Sequence, residues 1–341
     1  MRQYFCFSLR FLRHTALLLG FCAALLASGM SQALTRTEIY QALAPYADRS
    51  EAGQTMAFQA ALKTVLVRVT GARSIEEDAA LAPLIANARR YVQQYRQAAD
   101  GQIWVAFDGP AIERWLTQNG QPLWGRDRPA TFVWLAAQTG GQSGTVITAD
   151  DTSELKAVVD QAASQRGLPL LWPSTLDVQR NHIDYAGVVA GSPSTLAEIA
   201  KRLGADGVLI GKANGNSAAA NVRWTHLFQE RSSEYSGTLE GVNRAADLYA
   251  SLFAASGTLG AVDVEITGVA DLRDYAALET FLESQTSISH VSITSFSGDT
   301  VRVRLAMRGG AESLQRALTV NGRLKPAAAG ENGIQRFQLH H

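Results

Sequence analysis

Apolar residues at Phe58, Ala61, Leu62, Val65, Leu66 and Val69 recur at three- and four-residue steps. That spacing predicts a helix with one buried face, stopped at Gly71. Before it, Glu38 to Ala47 reads as an extended lead-in, closed by the polar turn Asp48-Arg49-Ser50. After it come a short helical piece over Asp78–Ala88, strands at Tyr91–Tyr95 and Gln102–Phe107, and a helix from Pro110 to Gln118 that ends at Asn119-Gly120. These elements predict a small α+β domain over residues 35–127.

The rhythm changes after that. "TFVWLAA" from Thr131, "GLPLLWP" and "GVLIGKA" from Gly207 are continuous apolar runs, separated by helical stripes over Ser153–Gln165 and Ser194–Leu203. Strands without polar alternation predict a mostly parallel sheet covered on both faces. A hairpin of Asn221–Phe228 with Glu234–Leu239 and a helix over Arg244–Ala255 complete an αβ domain over 128–255. The glycine-rich stretch Ser256–Gly260 reads as a linker. From 261 to 341 the order β-α-β-β-α-β predicts a ferredoxin-like domain. Its first helix, Asp271–Glu283, uses Leu272, Tyr275, Leu278, Phe281 and Leu282. A tight turn falls at Ser297-Gly298-Asp299, and a hairpin signal at Asn332-Gly333. The fold class is therefore α/β and α+β.

The amino terminus follows a different pattern. Arg2, Arg10 and Arg13 precede a short apolar run from Ala16 to Ala27, and Ser31-Gln32-Ala33 supplies a small-residue exit. The run is about half the length of a membrane span. The pattern is that of a secretory leader, residues 1–33, cut after Ala33. A lipid anchor on Cys22 is disfavoured because Phe21 stands before it.

The cut changes the composition. Both cysteines, Cys6 and Cys22, lie in the leader, so the exported chain has no thiol for disulfide, metal or nucleophile. It keeps 28 of the 31 basic residues against 31 acidic ones. That balance argues against nucleic acid as a partner. No integral membrane span is expected after the cut.

Candidate chemistry is sparse. Ser153-Glu154-Leu155-Lys156 matches S-x-x-K, in which a serine at a helix start gives its proton to a lysine one turn on. The companion motifs S-D-N and K-T-G are absent, and Ser153 also suits a helix cap. Gly207 to Lys212 has the wrong glycine spacing for a phosphate loop, and Ala213 stands where Ser or Thr is needed. The histidines His182, His226, His290, His340 and His341 show no metal-ligand spacing. No cofactor is expected. Of six tryptophans, Trp104, Trp134 and Trp224 fall at strand positions where core packing is the default. Trp124, in "QPLWGRDRP" beside Arg126 and Arg128, reads as a domain contact or an exposed binding surface.

The stretches "YADRSEAGQTMAFQAALKTVLVRVTGARS", "YVQQYR", "IWVAFDGPAIERWLTQNGQPLWGRDRPATFVWLA" and "RGLPLLWP" resemble the bacterial envelope domain-of-unknown-function family DUF 2066 over roughly residues 38–250. "STLAEIAKRLGADGVLIGKA" is similar to the amino-terminal domain of TolB-type proteins and to flagellar T-ring-type periplasmic domains. The resemblance implies a periplasmic, non-enzymatic scaffold whose partner is an envelope protein or cell-wall component. Arg49, Trp124, Arg126 and Arg128 are the binding candidates, since loops on a rigid scaffold carry Arg and Trp contacts well. The alternatives are a cell-wall-directed serine hydrolase using Ser153 and Lys156, or a small-ligand binder at the carboxyl ends of the middle strands.

Overall fold

The computed structural model describes residues 38–340 except 47, 76–77, 126–127, 139–143, 258, 286, 320–322 and 331–333. The leader, Arg126 and the Asn332-Gly333 turn therefore lie outside the described residues. The chain is a mixed α/β protein with three sheets, and Arg36–His341 form one compact unit.

The first sheet has the order β1-β3-β2, built from β1 (Gln41–Pro45), β2 (Val92–Gln97) and β3 (Gln102–Phe107). Helix α1 (Glu51–Thr70) lays its predicted stripe on one face of it, and Phe58, Ala61, Leu62, Val65, Leu66 and Val69 are all buried. The helix starts where its sequence says it must. The Ser50 hydroxyl accepts from Gly53 N at 3.0 Å and donates to Asp48 Oδ2 at 2.6 Å, which satisfies an otherwise orphaned amide. A Cβ on Gly53 would sit 2.1 Å from the Asp48 carbonyl oxygen, so that turn closes only over glycine. The short helix α2 (Ala82–Ala86) carries Pro83 in its first turn, where a missing N–H costs nothing. Helix α3 (Gly109–Gln118) is capped by Asp108.

The second sheet has the order β5-β4-β7-β8-β9, with β6 paired to β4. Its strands are β4 (Thr131–Gln138), β5 (Thr145–Val146), β6 (Leu170–Leu171), β7 (Gly207–Asn214), β8 (Asn221–Phe228) and β9 (Arg231–Ser236). Strand β4 shows why an unbroken apolar run is needed. Val133, Leu135 and Ala137 enter the core under α4 (Glu154–Arg166) and α8 (Glu240–Phe253). Phe132, Trp134 and Ala136 enter the opposite core, under α6 (Tyr185–Ala190) and α7 (Pro193–Arg202). The expectation of a mostly parallel sheet is corrected: β4 pairs in parallel with β6 and β7, while β4–β5, β7–β8 and β8–β9 are antiparallel. "GLPLLWP" yields only the two-residue β6, because Pro169 and Pro173 flank it and proline cannot donate to a ladder. Helices α5 (Thr175–Arg180) and α6 were not read from the sequence. Each is six residues long, too short to show a periodic stripe.

The third sheet has the order β11-β12-β10-β14-β13, from β10 (Leu259–Thr267), β11 (Ile288–Ser297), β12 (Thr300–Arg308), β13 (Leu324–Ala327) and β14 (Gln335–Leu339). Helices α9 (Leu272–Ser284) and α10 (Gly310–Thr319) connect them. Its last hairpin departs from the ferredoxin-like order. Strand β14 runs parallel to β10 and stands between it and β13. The β12–α10–β13 crossover therefore spans two strands rather than one. Leu272, read as part of the buried stripe, is 84% exposed, because Asp271 caps the helix and leaves Leu272 in its solvent-facing first turn.

Gly71 closes α1 with φ +77°, and a Cβ there would meet Ala250 Cβ of α8 at 2.4 Å. Both the left-handed backbone and the close approach exclude a side chain. Gly71→Ala is expected to lower the free energy of unfolding by about 2 kcal/mol or more, read from urea denaturation.

Candidate functional site

Two helix ends meet between the first and second sheets, and three arginines gather there. Arg68 sits in the last turn of α1 and Arg166 in the last turn of α4. Each reaches the other helix's end. Arg68 Nε donates to Ser164 O at 2.6 Å, and Arg166 Nη2 donates to Gly71 O at 3.0 Å. Arg128, in the connection before β4, serves both ends. Its Nη2 donates to Arg68 O (2.7 Å) and Trp124 O (3.0 Å), its Nη1 to Gly167 O (2.9 Å) and Arg166 O (3.3 Å), and its Nε to Gly125 O (3.0 Å). All five guanidinium donors are thus spent on backbone carbonyls. The Arg128 guanidinium also lies over the Trp124 ring, 3.9 Å from its centroid.

Three like charges sit together because two helix carboxyl termini bring partial negative charge to the same place, and because Asp247 adds a full one. Asp247 Oδ1 accepts from Arg166 Nη2 at 2.8 Å, and Asp247 Oδ2 from Arg73 Nε at 2.7 Å. Burial, and after it the charges of Arg68 and Arg166, pull Arg128 down to about 9. It still carries its proton at neutral pH.

Of the two readings of Trp124, this geometry agrees with the domain contact, and it places Trp124 and Arg128 away from any binding surface. Trp124 is fully buried in the core of the second sheet, and its backbone N–H donates to Val69 O at 2.6 Å. Both side chains serve the junction between the sheets. Arg49 is exposed, in the turn that Asp48 and Ser50 close to cap α1. Arg126 lies outside the described residues.

The S-x-x-K pair is kept apart by its own partners. Ser153 Oγ accepts from Lys156 N at 3.4 Å, as an N-cap does. The Lys156 ammonium is bonded to Asp160 Oδ2 at 2.8 Å, one turn further along, and lies over the Trp172 ring. Trp172 Nε1 holds the other oxygen of Asp160 at 2.8 Å. At the carboxyl end of β4, Tyr185 OH donates to Gln138 Oε1 at 3.2 Å, and the neighbouring 139–143 lie outside the described residues. Among the described residues, no group of three His, Cys, Asp or Glu side chains comes together to hold a metal.

His226 is buried in a polar relay. Its Nε2 lies 3.0 Å from Tyr249 OH, which in turn is 3.2 Å from Thr131 Oγ1. Gly207 leaves room for that hydroxyl. Burial holds His226 down to about 4, and burial pushes the Tyr249 phenol up.

Sequence reasoning missed the face that the first sheet leaves open. Ala42, Ala44, Ile103 and Val105 turn towards α1 and are buried, so the alternate residues turn away from it. Leu43 of β1, Trp104 of β3 and Arg96 of β2 stand directly opposite one another in register, in one row across all three strands. Leu43 is 53% exposed, and Arg96 lies over the Trp104 ring at 5.0 Å. Trp104 had been read as a core residue. Among the described residues it is the one tryptophan outside every apolar cluster, since Trp115, Trp124, Trp134, Trp172 and Trp224 each pack in or against one. The signal was present in "IWVAF", where Trp104 takes the opposite parity to Ile103 and Val105.

These strands lie within the stretch that matches a known family model. Residues 33–125 match "Domain of unknown function (DUF8605)". That finding replaces the resemblance to DUF 2066, whose supposed span of 38–250 is not supported. No curated protein and no solved structure matches the chain, and the comparisons lend no support to the likeness to TolB-type and T-ring-type domains.

Two outcomes follow from the buried groups. Arg128→Ala leaves five carbonyl acceptors without their donor and is expected to cost about 3 kcal/mol or more of unfolding free energy, by urea denaturation. Arg128→Lys, with three donors at one point, recovers only part of it. Separately, unfolded His226 binds a proton below about 6.5 and the folded one only below about 4. Its contribution is fully present above the unfolded value and falls as pH drops through that window, by about 3 kcal/mol in total. His226→Gln is expected to flatten the slope between those limits, measured as stability against pH.

Proposed function

We propose that this is a non-enzymatic interaction protein of the bacterial cell envelope, exported by its leader, that grips an envelope protein through the Leu43–Trp104–Arg96 row. The observation that carries the reading is Trp104 itself. A large aromatic outside every core, flanked by an exposed Leu and a stacked Arg, has the composition of an interface anchor. The row asks for an apolar side chain on the partner against Leu43 and Trp104, with a carboxylate beside it for Arg96. The buried arginine junction supports this use, because it fixes the sheet to the rest of the chain and lets the face dock as a rigid surface. We read the chain as three units, 35–127, 128–255 and 261–341, with the first supplying the face. Ser153 and Lys156 in their structural roles favour binding over a hydrolase.

A photo-crosslinker at Leu43 tests this in cells. It is expected to capture one envelope protein. Trp104→Ala combined with Arg96→Glu should leave the melting temperature unchanged. It should weaken binding of the captured protein by about 30-fold or more, as loss of an aromatic anchor does. A folded double variant that keeps full binding contradicts the proposal.

A further inference from the structure

The sheets end in strands of unequal character. Among the described residues, each terminal strand has one row of backbone groups with no neighbouring strand, and proteins normally blunt such rows with short length, charge, proline or bulges. Strand β1 is five residues long and ends in Pro45, and β2 carries Arg96. Strand β5 has two residues, β9 carries Arg231 and Glu234, and β13 is the four residues Leu324-Lys325-Pro326-Ala327. Strand β11 lacks the first three of these devices and is interrupted only by two register shifts. It is ten residues long, "ISHVSITSFS", with neither a charged residue nor a proline, and it terminates its sheet.

Its side chains point the same way. Val291, Ile293 and Phe296 pair with Leu305, Val303 and Val301 on the core face. Yet Ile293 remains 39% exposed and Phe296 59% exposed, at the rim of that core. Tyr275 of α9 meets Phe296 edge-on at 5.7 Å, and the exposed Leu272 stands one turn before Tyr275 on the same helix. The uncovered backbone row is therefore bordered by an apolar strip. Register shifts fall at Ile288/His290 and at Ile293/Ser295. Between them, His290 to Ile293 is regular strand, free of bulges.

We infer that β11 pairs antiparallel with β11 of a second copy, on a two-fold axis within His290–Ile293, joining the two third sheets into one. Self-pairing sets a strand against its own sequence, and a charged strand would meet its own charge there. Strand β11 carries no Asp, Glu, Lys or Arg, so self-pairing meets no such penalty, whereas a charged partner strand would find no countercharge on it. The apolar strip beside it becomes covered as the two α9 helices approach on one face. This edge lies on a different sheet from the Trp104 row and stands independently of it.

Sedimentation of the exported chain provides the test. Wild type is expected to be a dimer in concentration-dependent exchange with monomer. Ile293→Lys and Ile293→Glu, at a half-exposed position beside the axis, should each weaken dimerisation by about tenfold or more, because like charges then face one another. An equal mixture of the two should recover the dimer. A wild type that stays monomeric at its highest soluble concentration overturns the inference. So does a variant that dimerises as well as wild type, or a mixture that stays monomeric. Should the variants fail to fold, hydrogen exchange of wild type decides. Slower exchange over 288–297 with rising concentration supports the pairing, and exchange independent of concentration overturns it.

Discussion

A guanidinium has five N–H donors in a fixed plane and no way to turn one of them off. Once Arg128 is enclosed between the first and second sheets, five acceptors have to be found for it, all within reach of one point. Backbone carbonyls supply them, from the last turns of α1 and α4 and from the connecting chain. The two helices must therefore end side by side. Their partial negative ends, with Asp247, in turn accommodate Arg68 and Arg166 beside Arg128. The backbone of Trp124 and Gly125 is placed by the same requirement. A cation surrounded by backbone rather than by a carboxylate also fixes geometry closely, since no rotatable acid can follow a displacement.

The clamp separates residues that look alike in sequence. Trp124 and Trp104 both neighbour an arginine in the ring-stacking sense, at 3.9 Å and 5.0 Å. In one case the pair is walled in and holds the fold. In the other it lies on the face of a three-stranded sheet that turns away from α1, with Trp104 half-buried. Among the described residues, the edge of β11, which carries no Asp, Glu, Lys or Arg, is a second such surface.

Much of the fold was legible because burial imposes periodicity. The α1 stripe and the unbroken β4 run each announced their environment. Caps did the same, with Ser50, Ser153 and Asp271 all preceding helices. Pieces too short for a period escaped, as with α5 and α6. Strand direction in the second sheet escaped too, because an apolar run reports two covered faces and not the sense of its neighbours. The site was less legible. "LWGRDRP" looked like a polar loop fit for binding, but its Arg128 faces inward to carbonyls that belong to distant parts of the chain. Trp104 escapes for the opposite reason, since a strand position implies core only where its parity matches that of the buried residues beside it, here Ile103 and Val105.

Tryptophan oxidation in the folded protein, mapped by mass spectrometry, tests the central distinction most directly. The account predicts that Trp104 is modified under native conditions, while Trp124 stays protected until the chain unfolds globally. Trp124 reacting as readily as Trp104 in the native protein would contradict it.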